Sequence, residues 1–287
     1  MKTPPIVSPR ARGVRMIAGA RVCCEASERA SRRVFFCVTA LLFLLSAAVT
    51  IVWCLSMSAM QEMPMPGGWT LSMAWMRMPG QTWLQSSASF LGMWAAMMAA
   101  MMLPSLTPVL WRYRQALLGT GVTHLGRLTL LAGAGYFCVW IAFGFGLFAL
   151  GVALAAIEMQ EPLLARAAPL ASGVAVLAAG ALQFTAWKKR HLNCCRPVPL
   201  SARRFQPDAG TAWRQGLSLG VHCCNCCAGP TMVLLVVGVM NLRMMAVMTA
   251  AITCERLVPA GVRVARAIGV LFFGIGLILT AQTAALG

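Results

Sequence analysis

Long apolar runs, separated by short segments that hold nearly all the charge, constrain this chain more than any other feature. A helix that crosses a bilayer needs about 20 apolar residues, because the hydrocarbon core is ~30 Å thick and offers exposed peptide groups no partner. Six segments meet that length: Val34–Met57, Ser86–Trp111, Leu128–Ile157, Ala167–Trp187, Gln215–Leu242 and Ala267–Leu286. A seventh, Met244–Val258, is short and carries Glu255 and Arg256 near its end. It crosses only if tilted or with that end at the interface. The expectation is an all-α, polytopic transmembrane bundle of six or seven helices, with seven favoured.

Composition supports this. Charged residues make up 11% of the chain, against roughly 25% in soluble domains. The net charge of +17 does not point to nucleic acid, because the charges sit between the apolar runs. Their distribution instead sets orientation, since cytoplasmic loops collect Lys and Arg. With the N-terminus inside, 21 basic residues fall on the cytoplasmic side, and only Arg77, Arg166 and Arg243 fall outside. That predicts a multi-pass protein of a bacterial-type inner (plasma) membrane with a cytoplasmic N-terminus, its basic loops facing anionic lipid.

Residues 1–33 read as a basic, disordered cytoplasmic tail, and residues 34–287 as the transmembrane part. The first apolar run, with 24 residues behind a long basic lead, reads as an anchor and not as a cleaved signal. Segment 58–85 is a Met-rich outer loop, and segment 188–214 a basic cytoplasmic loop.

The chain has 12 cysteines. Outer loops are the oxidising side, where a disulfide scaffold belongs, yet none of the cysteines falls in one. The run His222-Cys223-Cys224-Asn225-Cys226-Cys227 stands at the expected mouth of the fifth long helix. On a helix, Cys223, Cys226 and Cys227 share a face, with His222 at its edge. A second group, His191, Cys194 and Cys195, repeats that i, i+3, i+4 spacing among basic residues that favour thiolate. Each group offers two or three soft donors where a closed tetrahedral site needs four. Two such groups at neighbouring helix ends invite one combined site, although structural thiols also fit. Glu255 has two readings, a further ligand or proton acceptor beside the thiols, or an ion pair with Arg256 or Arg263. Cys23 and Cys24 could form a capture site in the tail.

Methionine is the other unusual residue. Twelve of the 20 methionines lie between Met57 and Met102. In the outer loop Met63, Met65, Met73 and Met76 are candidate ligands, because a thioether stays neutral and suits Cu(I) where thiols would oxidise. An interfacial Met/Trp belt is the competing reading. In helix two, Met93, Met97 and Met101 align every four residues, which core packing explains equally well. Pro104 and Pro108 each remove a backbone donor there and are expected to kink the helix.

These blocks resemble the DUF2182 family of metal-binding integral membrane proteins over roughly Met57–Gly287. The resemblance rests on G-G-W-x-x-S-M-x-W-M (Gly67–Met76), on M-W-A-A-M-M-A-A-M-M-L-P-S-L-T-P (Met93–Pro108) and on C-x-x-C-C (Cys223–Cys227). It also rests on G-V-M-N-L (Gly238–Leu242) and E-R-L-V-P-A-G (Glu255–Gly261). It implies metal handling, with copper supply to a cuproenzyme the leading role. It also places the family's cysteine motif on Cys223, Cys226 and Cys227. In its motif after helix four, His191 stands where a first cysteine would be, and Cys195 keeps the second.

The expected function is therefore a copper-handling membrane protein, not an enzyme, that holds Cu(I) or, less specifically, zinc. Its partner would be a cuproenzyme or a metallochaperone. The rival readings are a thiol–disulfide or quinone-linked oxidoreductase and a zinc-stabilised structural subunit. No Walker motif is present.

Overall fold

The computed structural model describes residues 9–58, 63–65, 69–71, 80–118, 122, 124–195 and 208–286. The chain divides into two compact units, Met1–Leu42 and Phe43–Gly287. The described residues of the first unit, 9–42, are the leading part of helix α1 (Pro9–Ser58). The backbone is helical from Pro9, within the stretch expected as a basic tail. Alanine and arginine, frequent in that stretch, are strong helix formers.

The second unit holds the end of α1, a short hairpin of β1 (Met63–Met65) and β2 (Trp69–Leu71), then α2 (Trp83–Leu118) and α3 (Leu125–Gln160). It continues with α4 (Pro162–Leu182), α5 (Ala186–Cys195), α6 (Ala209–Val237), α7 (Leu242–Leu257) and α8 (Gly261–Leu286). Among the described residues, six helices, α1, α2, α3, α4, α6 and α8, are long and apolar enough to cross a membrane. The fold is an all-α, multi-pass bundle. Its exposed apolar side chains, such as Leu130 and Phe145 on α3 and Val270, Leu271 and Ile278 on α8, form the kind of surface that suits lipid.

Small residues set the packing. In a bilayer there is no hydrophobic gain from joining two helices, so close backbone approach supplies the contact. A Cβ at Gly216 of α6 would collide with the Ala132 carbonyl of α3. At Gly180 of α4 it would lie 2.6 Å from the Phe273 backbone nitrogen of α8. Indole fills the α2–α3 seam. Trp94 and Trp140 are fully buried, and the Trp94 Nε1–H donates to the Trp140 carbonyl at 2.9 Å.

These contacts also give chain direction. Gly135 meets Trp213 and Leu217, and Gly220 meets Tyr136 and Val139, so α3 and α6 run parallel. Gly173 meets Thr280, and Gly180 meets Phe273 and Gly269, so α4 and α8 run antiparallel. Helix α4 reverses α3 through the single residue Glu161. Helices α3, α6 and α8 therefore point the same way, and α7 must carry the chain back between α6 and α8. With 16 residues, α7 reaches about 24 Å at ~1.5 Å per residue, short of the ~30 Å core. It is the abbreviated seventh segment of the sequence reading.

Helix boundaries differ from expectation in one place that matters. Helix α6 begins at Ala209, where the Asp208 carboxylate accepts from the Gly210 N–H and caps it. It ends at Val237, because Gly238 turns to φ 111°, a backbone state open mainly to glycine. The cysteine run thus lies in the middle of α6, not at its mouth. Asn241 then caps α7 by accepting from the Met244 N–H. The G-V-M-N-L block is the physical turn between these two helices.

Candidate metal centre

Three cysteines of α6, Cys223, Cys226 and Cys227, are buried on the face their spacing predicts. Cys195 of α5 joins them: the Cys226 thiol donates to Cys195 Sγ at 3.6 Å, and Cys226 and Cys227 Sγ lie 3.7 Å apart. The two cysteine groups therefore meet. Thiolates around one tetrahedral metal at about 2.3 Å stand about 3.8 Å from one another, and these two contacts are of that order. Met102 of α2 extends the set, with its Sδ 3.9 Å from Cys223 Sγ. The Tyr136 hydroxyl of α3 lies 2.9 Å from the same sulfur.

One turn earlier on both helices is a second pair. His191 and His222 each precede a cluster cysteine by four residues, and their Nδ1 atoms are 3.0 Å apart. Both rings are half-buried. His191 sits edge-on to Trp187, with ring centroids 4.9 Å apart. Desolvation first, and the neighbouring His222 next, hold its pKa below the ordinary imidazole value. Helices α5 and α6 thus present two rungs, imidazole against imidazole and thiol against thiol.

Cys194, the other candidate on α5, is exposed and is not brought to the sulfurs. Glu255 is buried, but its partners are not those expected. One oxygen accepts from Lys188 Nζ at 2.7 Å and the other from Gln183 Nε2 at 3.1 Å. Neither Arg256 nor Arg263 pairs with it, and it stands beside the thiols without joining them. Met63 and Met65 lie in β1, opposite Leu71 and Trp69 in the hairpin register. Met73 and Met76 fall outside the described residues. So do the side chains of Cys23 and Cys24.

Sequence reasoning missed Arg256 and Lys188. The Arg256 Nη2 donates to Cys223 Sγ at 2.7 Å, Cys226 Sγ at 3.2 Å and Cys227 Sγ at 3.5 Å. Its Nη1 donates to Ser105 Oγ of α2 at 3.1 Å. Among the described residues, no three His, Cys, Asp or Glu side chains form a ready ion-binding group. Lys188 answers a local defect. Pro230, inside α6, has no N–H to give to the carbonyl four residues before it. That carbonyl belongs to Cys226, and Lys188 Nζ donates to it at 2.5 Å. The signal was present: a proline four residues after a cluster cysteine announces a carbonyl in search of a donor.

A family model described as a copper chaperone (PpoB2) matches residues 91–279. The chain belongs to this copper-chaperone family. The match takes in every described residue of the sulfur cluster, the His191–His222 pair and the Lys188–Glu255 pair. Comparison with curated proteins and with solved structures gives no match. In this member of the copper-chaperone family, soft donors from α2, α5 and α6 converge beside a cation from α7, within a bundle whose long helices are apolar enough to cross a membrane.

Proposed function

We propose that this chain carries copper within the membrane, holding Cu(I) as cargo on Cys195, Cys223, Cys226 and Cys227 and passing it to a cuproenzyme or metallochaperone. The observation that carries this reading is the meeting of Cys195 with the α6 thiols at 3.6 Å in a chain of the copper-chaperone family. Thiolate is the soft donor that favours Cu(I), and binding releases protons from the thiols. His191 and His222 lie one turn from the thiol rung and serve as the entry pair, imidazole being a weaker, borderline donor. Met102 begins the exit. Buried methionines continue along α2 (Met93, Met97, Met98, Met101) and occur on α7 (Met245, Met248), and these two helices pack on each other. Met63, Met65, Met73 and Met76 of the outer segment are the release donors. The distribution of Lys and Arg supports an orientation with the N-terminus, α5 and the entry pair on the cytoplasmic side of an inner membrane. In that orientation the ion passes from tight thiolate to weaker thioether.

Metal analysis of the purified full-length chain tests the reading. Wild type loaded with Cu(I) is expected to keep about one copper per chain. Cys226→Ser with Cys227→Ser is expected to lose it, while exposed Cys194→Ser keeps it. Zinc held at the same level whatever the copper supply would instead make the cluster a structural zinc site.

A further inference from the structure

Arg256 lies where an incoming metal must sit. Its Nη2 is 2.7, 3.2 and 3.5 Å from the sulfurs of Cys223, Cys226 and Cys227. An ion bound about 2.3 Å from those sulfurs needs the same central space, so the guanidinium must draw back as the ion enters. It cannot draw back far. The residue is 3% exposed, its Nη1 is anchored on Ser105 Oγ, and its Nε has no partner among the described residues to lead it elsewhere. Nor can it shed its charge, since a guanidinium stays protonated in proteins. The nearby Lys188–Glu255 pair is internally neutral, so Arg256 supplies the unbalanced positive charge on this side of the cluster.

We propose that Arg256, placed among the three thiols, is a resident cation that restricts the site to a singly charged soft ion. A monocation adds one positive charge beside the guanidinium and a dication adds two. At a few ångströms in a poorly screened interior, each extra unit of charge disfavours binding on the order of a hundredfold. Soft character then selects for sulfur, and charge selects Cu(I) over divalent metals that thiols also bind. This rests on the thiol cluster being the copper site.

Ag(I) and Cd(II) separate the two factors, because both are soft and they differ in charge. Affinities of both ions are measured by chelator competition on full-length wild type, Arg256→Lys and Arg256→Gln in detergent. Removing the charge with Gln is expected to raise Cd(II) affinity relative to Ag(I) by about tenfold or more, while Lys keeps the wild-type ratio within about threefold. A merely structural role would move both ions together. The proposal is overturned if Gln leaves the ratio unchanged, or if Lys shifts it as far as Gln does. If Arg256→Gln yields no folded protein, Arg256→Met supplies the uncharged side chain instead and is read the same way: a rise of Cd(II) affinity relative to Ag(I) of about tenfold supports the proposal, and an unchanged ratio overturns it. Wild type that binds neither Cu(I) nor Ag(I) overturns the copper-site reading itself, whereas Cu(I) bound with a ratio indifferent to Arg256 overturns only this inference.

Discussion

Replacing Lys188 by Met removes two interactions at once and keeps most of the side-chain volume. The ammonium sits 2.7 Å from Glu255 Oε2 and 2.5 Å from the Cys226 carbonyl, and both residues of the ion pair are almost wholly buried. Leaving one partner of a buried ion pair alone costs about 3–5 kcal/mol. A buried carbonyl without a donor costs about 1–3 kcal/mol more. Gln183 still reaches the other oxygen of Glu255 at 3.1 Å, which keeps the sum toward the lower end. Melting of the detergent-purified variant is expected to fall on the order of 10 °C. Two second changes divide the loss between its causes. Glu255→Gln in the Lys188→Met background removes the stranded charge and is expected to recover most of the ion-pair share. Pro230→Ala restores a backbone N–H four residues after Cys226, so Lys188→Met in that background should cost about 1–3 kcal/mol less. An Lys188→Met penalty that Pro230→Ala leaves untouched would refute the account of the Cys226 carbonyl. Wild-type melting in Lys188→Met would refute the whole network.

Gly216→Ala drives a Cβ into the Ala132 carbonyl and is expected to cost about 1–3 kcal/mol or more. Gly146→Ala, where nothing lies within 4 Å, should leave melting unchanged or slightly raised. Because the His191 pKa is held below its ordinary value, the unfolded chain binds the proton more readily than the folded chain. Stability is therefore full above the usual imidazole range and lost as pH falls through the lowered value. Melting measured against pH should show that acid-side loss, and His191→Asn should reduce it. Exposed Cys194, within the basic 188–214 segment, is expected to react with a membrane-impermeant thiol reagent only from the cytoplasmic face. Labelling from the outer face of intact cells would reverse the proposed topology.

Much of the bundle was legible because a bilayer leaves so few choices. Apolar length and the avoidance of charge read directly as crossings, and helical spacing by itself puts Cys223, Cys226 and Cys227 on one face. The short segment Met244–Val258 was legible as well, though only the direction of α8 against α4 showed that it returns the chain. Helix ends were less legible. Asp208 and Gly238 shifted α6 toward the N-terminus, and that moved the cysteines from its mouth to its middle.

Local pattern alone therefore determined a multi-pass helical protein with soft donors gathered on one face of α6, since hydropathy and helical periodicity act over a few turns. Tertiary structure decided the partners. It brought Cys195 to Cys226, left Cys194 outside, gave Glu255 to Lys188 and turned Arg256 onto the thiols. Adjacent residues Glu255 and Arg256 could as well have paired with each other on sequence grounds. The packing of α5 and α7 against α6 fixed which buried charge met which donor, and that depends on contacts between residues 30 or more positions apart.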